Sequence, residues 1–74
     1  MPQMFRVHSP IQAIISIDTP EGGADELIVN CEVGSEYPVT LRVVEDEEDQ
    51  GVYVLTAENA QKLVDWLRSK GVVS

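Results

Sequence analysis

A change of period at Thr56 constrains this chain more than any other feature. Before it, short apolar runs alternate residue by residue. Ile11, Ala13, Ile15 and Ile17 share one side of a run, with Gln12, Ile14 and Ser16 on the other. Leu27, Val29, Cys31 and Val33 repeat the pattern, and so do Tyr37, Val39, Leu41 and Val43. Alternation of this kind marks strands with one side turned inward. Met4 to His8 reads as a first strand, carrying Phe5 and Val7, and ends at His8-Ser9-Pro10, where proline removes a ladder donor. Val52 to Leu55 reads as a last short strand.

The connections decide how these strands pair. Neighbouring parallel strands need a crossover of about a dozen residues or more. No connection here is that long, so the strands must form an antiparallel meander. After Thr56 the apolar spacing becomes helical, with Ala60, Leu63, Val64 and Leu67 on one stripe. Thr56 is a good N-cap, Glu58 suits the first turn, and Gly71 suits the stop. Arg68 and Lys70 fall in the last turn, where they complement the helix dipole. The expectation is one α+β domain over residues 1–74. It has an antiparallel β-meander of four to five strands, with one C-terminal α-helix packed on one face and Leu63 and Leu67 in the core.

The tail VYVLTAENAQKLVDWLRSKG, Val52 to Gly71, resembles the ending of many small phage and bacterial orphan proteins. In those, a strand runs into Leu-Thr-x-Glu-x-Ala and an amphipathic helix. Ala57 stands where they commonly have proline. The resemblance implies a phage or mobile-element origin and carries over no active-site residue.

Charge narrows the function. Thirteen acids against five bases give a net charge of −8. Phosphate contacts need a basic surface, so direct nucleic-acid binding is not expected, and an anionic membrane would repel the chain. A basic protein would be attracted instead. The 43% apolar content is that of a globular domain, which argues against disorder. Cys31 is the only cysteine, so no intrachain disulfide or cysteine-built zinc site forms, and it reads as a small buried apolar residue. The stretch MPQMFRVHSP lacks the long apolar core of a secretory leader, and no segment approaches membrane-spanning length. A cytoplasmic location is expected.

Alternate hairpin loops of a meander lie at the same end of the sheet. Asp18, Glu21, Asp25 and Glu26 should therefore gather with Glu45, Asp46, Glu47, Glu48 and Asp49, bringing together nine of the 13 acids. Arg68 and Lys70 are expected to return towards this end and offset part of the charge. One reading is a pair of solvated loops that maintain solubility and blunt edge pairing. The other is a docking surface for a basic protein. In its extreme form the carboxylates mimic nucleic-acid phosphates, since arginine forks accept either group. A calcium loop fits poorly. Asp46, Glu48, Gln50 and Gly51 match four EF-hand positions, but Ala57 falls where the bidentate glutamate belongs.

Nothing in the sequence assembles a catalytic site. His8 and Ser9 are sequence neighbours whose side chains leave a strand on opposite faces. No glycine-rich phosphate loop or paired histidines occur, so no cofactor or metal is expected. Trp66 lies roughly 110° from the centre of the helical stripe, as a core flank or as an interface anchor. Ile14, Ile28, Val44 and Tyr53 are expected on a second sheet face that one helix cannot also cover, beside Glu32, Thr40 and Arg42. A homodimer or a protein partner would cover them. The functional expectation is a small, acidic, non-enzymatic protein-binding protein, namely a phage or mobile-element inhibitor of a host factor, with nucleic-acid mimicry as one form of it. The alternative is a homo-oligomeric accessory or assembly protein whose acids serve solubility.

Overall fold

The computed structural model describes residues 3–18 and 23–74. Five strands precede one helix: β1 (Gln3–Ser9), β2 (Gln12–Asp18), β3 (Ala24–Cys31), β4 (Val39–Glu45), β5 (Glu48–Leu55) and α1 (Ala57–Ser69). The sheet order is β1-β2-β3-β4-β5 and every neighbouring pair is antiparallel. This is the α+β meander that the short connections require, with the C-terminal helix packed on the sheet, chiefly against β5.

The helix begins and ends where the sequence places its caps. The Thr56 hydroxyl accepts the Asn59 N–H at 3.1 Å. At the other end Gly71 adopts φ 77°, a left-handed conformation that glycine enters without steric cost. There the Gly71 N–H donates to the Arg68 carbonyl and the Val72 N–H to the Leu67 carbonyl, closing a Schellman motif. The interior of the helix departs from expectation. Leu63 is 46% exposed and Val64 is 38% exposed, so Leu63 is not a core residue, and no residue of α1 is fully buried.

The register sorts the sheet into two faces. One carries the rows Phe5–Ile15–Leu27–Val43 and Val7–Ala13–Val29–Leu41–Tyr53, all apolar but for the tyrosine hydroxyl. The other carries Arg6–Ile14–Ile28–Arg42–Val52, flanked by Met4–Ser16–Glu26–Val44 and by Gln12–Asn30–Thr40–Val54. The first is called the Leu27 face and the second the Ile28 face.

Several boundaries and burials differ from the sequence expectation. β3 ends at Cys31, and Val33 is 98% exposed beyond it rather than facing inward. Ile11 belongs to the two-residue β1–β2 turn and is exposed, not a strand residue facing the core. Cys31 is exposed, not buried. The acid run is largely strand: β4 runs through Glu45 and β5 resumes at Glu48. Only Asp46 and Glu47 form the turn, at φ 51° and 65°, the pair of left-handed residues that matches the twist of a tight hairpin.

Candidate functional site: the acidic end and the open Leu27 face

Asp18 closes β2, Ala24 opens β3, and the Asp46-Glu47 turn joins β4 to β5 at the same end of the sheet. A shallow depression of about 580 Å³ lies there, lined by Asp18, Gly23, Ala24, Glu26, Val44, Asp46 and Glu47. Two connections that are far apart in sequence thus contribute carboxylates to one hollow. Glu21 lies outside the described residues.

The acids do not form a single patch. Alternation along the strands puts Asp18, Glu26 and Asp49 on the Ile28 face, and Asp25, Glu45 and Glu48 on the rim of the Leu27 face. Glu45 and Glu48 face each other directly across the hairpin, a like-charge pairing that works against the turn. A bulge between Val43 and Val44 gives β5 one extra residue, Gln50. The Asp49 carboxylate accepts the Gly51 N–H at 3.0 Å beside it, and Gly51 sits at φ 131°.

Compensating charge comes from the strands, not from the helix end. Arg6 pairs with Glu26 at 3.5 Å, and Arg42 with Asp49 at 3.4 Å. Arg68 instead pairs with Asp65 at 3.8 Å and donates to the Ser74 carbonyl, while Lys70 sits over the Trp66 ring at 6.0 Å. Asp18, Glu45, Asp46, Glu47 and Glu48 enter no ion pair with a described residue. Sequence reading missed Arg6, and placed Arg42 on the Ile28 face without its partner, because pairing across strands depends on register. Their signal was position: both interrupt the apolar pattern on the Ile28 face.

The predicted apolar interface is corrected in two ways. Ile14 is not on an open surface. At 7% exposure it is the one buried apolar side chain among the described residues. Arg6 is its β1 neighbour and Glu26 belongs to β3, so their ion pair crosses β2 on the Ile14 side. Gln12 of β2 donates to Asn30 of β3 at 3.0 Å on the same side of the sheet. Tyr53 is not on this face at all. It pairs with Leu41 and stands on the Leu27 face, 70% exposed. Ile28 and Val44 are half-buried.

The open apolar surface is the Leu27 face. Phe5 is 64% exposed and Val7 is 69% exposed, and no residue of that face is buried. Leu27, Leu41, Val43 and Tyr53 line a depression of about 530 Å³ on it. Trp66 is also exposed.

His8 is the extra residue at a bulge in β1, between the paired Val7 and Ser9, and the Ser9 hydroxyl accepts the Ile11 N–H. The EF-hand-like spacing from Asp46 starts on a two-residue hairpin turn and runs through β5 to the first residue of α1, rather than forming a helix-flanked loop. Among the described residues no group of three or more His, Cys, Asp or Glu side chains could hold a metal, and no helix is long and apolar enough to cross a membrane. Comparison with protein-family models, with curated proteins and with solved structures finds no match to this chain.

Proposed function

We propose that this chain is a non-enzymatic acidic protein that binds a basic partner protein through the end of its sheet. The observation that carries the reading is the hollow lined by Asp18, Glu26, Asp46 and Glu47, to which two separate connections contribute. Three of these four carboxylates enter no ion pair with a described residue, so they are available to guanidinium or ammonium groups.

The turn chemistry supports the same reading. Asp46 and Glu47 hold left-handed backbone positions where Asn-Gly would be the favoured pair. Left-handed geometry costs a residue such as glutamate about 1–2 kcal/mol. A solvated tip has no need of that cost, whereas a charged contact does. The resemblance of the tail to phage orphan proteins adds an origin. Together they support an inhibitor of a host protein that handles nucleic acid, with carboxylates standing in for phosphates.

The test is affinity capture from a bacterial lysate at low and at high salt, with wild type and with Asp18→Asn/Asp46→Asn/Glu47→Gln. A basic protein held by wild type, released by salt and lost by the variant is the expected result. Equal capture by both chains would overturn the reading.

A further inference from the structure

The molecule exposes more surface than a monomer of its size should. A compact 8.2 kDa monomer has an accessible surface of about 4,500 Å². This chain has 5800 Å². Its radius of gyration is 13.7 Å, against about 11.3 Å for a compact chain of this length. The excess is about 1,300 Å² per chain, or about 2,600 Å² for a pair. That falls in the range of obligate homodimers, about 2,000–5,000 Å².

We infer that the Leu27 face is the interface of a homodimer in which two copies of the sheet pack face to face with their acidic ends pointing in opposite directions. The two central rows of this face carry no charge, so a chain of net charge −8 can meet its own copy there. The orientation follows from the charge map. A two-fold axis lying in the interface and parallel to the strands would stack the acidic ends on each other. An axis in the interface but across the strands sets each acidic end over the partner's opposite end, where the described acids are Glu32 and Glu36 of the β3–β4 connection and Glu58 in the first turn of α1. Repulsion selects the second arrangement. The inference does not depend on the acidic end having a partner.

The axis across the strands lays each strand over its own copy running the opposite way, with β3 at the centre. With the axis midway between the two apolar rows, at the level of Ile28, Leu27 meets the partner's Val29, and Asp25 meets the partner's Cys31. Aligned sheets pack about 10 Å apart, whereas Asp25 and Cys31 of one chain are separated by about 20 Å along the strand. A short bis-maleimide therefore reads the geometry. Asp25→Cys, with native Cys31, should cross-link to a covalent dimer. Wild type and Asp25→Cys/Cys31→Ser should not. Cross-linking of those two controls instead would place like ends together and overturn the orientation.

Sedimentation tests the interface itself. Wild type should run as a dimer at micromolar concentration. Tyr53→Lys, at an exposed position on the Leu27 face, should raise the dimer dissociation constant at least tenfold with an unchanged far-UV spectrum. Val54→Lys, on the opposite face of the same strand, should leave it unchanged. A wild type monomeric at high micromolar concentration overturns the proposal, and so does equal disruption by the two variants.

Discussion

The two faces of the sheet are built from the same strands but solve the problem of water differently. The centre of the Ile28 face closes on itself, while Met4, Val52 and Val54 on its edge strands stay exposed. Its small apolar centre, Ile14 and Ile28, is flanked in register by Arg6 and Arg42, whose heads pair with Glu26 and Asp49. The result is a nearly dry isoleucine on the more polar side. The Leu27 face is far more apolar, yet none of its side chains is buried. Burial in this molecule follows from what lies across each residue, not from how apolar its neighbours are.

The largest expected effect separates the faces by concentration dependence. Ile14→Ala should cost about 2–5 kcal/mol, because its environment is complete within one chain. Its urea midpoint should fall and still rise with protein concentration as wild type does. Leu27→Ala should cost less in dilute solution and should flatten that rise, because part of its environment belongs to the second copy. Denaturation at two concentrations a hundredfold apart is the measurement. Identical concentration dependence in both variants would break the distinction between a closed face and an open one.

A smaller effect sharpens the comparison at the end the two faces share. Asp46→Asn/Glu47→Gly leaves both faces intact and relieves the left-handed glutamate. It should stabilise the domain by about 1 kcal/mol. The urea midpoint reports this directly. A loss of stability would mean that the turn carboxylates hold the hairpin together, although they enter no ion pair with a described residue.

The smallest effect concerns the ion pair beside Ile14. The Arg6 and Glu26 side chains are 53% and 30% exposed and 3.5 Å apart, so Arg6→Ala should cost under about 1 kcal/mol. Most of that cost should persist at high salt, since it reflects lost cover over Ile14 rather than lost charge. A cost that vanishes in salt would assign the Ile28 face to electrostatics instead.

Much of the fold was legible because its causes are local. Short connections forbid parallel crossovers, and that leaves a meander whatever the side chains do. Thr56 and Gly71 marked the helix because capping is a property of a few consecutive residues. Grouping the acids at one end followed from hairpin geometry, and the hollow joining Asp18 and Glu26 to Asp46 and Glu47 sits there. The interface was misread for a different reason. Tyr53 was placed on the wrong face because the bulge at Gln50 shifts the phase of β5, and a single extra residue moves every later side chain across the sheet. Ile14 was read as open because alternation gives a side chain's direction but not what covers it.

The sequence alone therefore determined the element order, the antiparallel pairing, the helix limits and the sign of the surface charge. Each depends on spacing or composition that any conformation of the chain carries. Only the tertiary structure decided which apolar face stays open, which arginines neutralise which acids, and how the acids divide between faces. Those depend on register, and register is fixed when separate strands meet, by contacts between residues that the sequence keeps far apart.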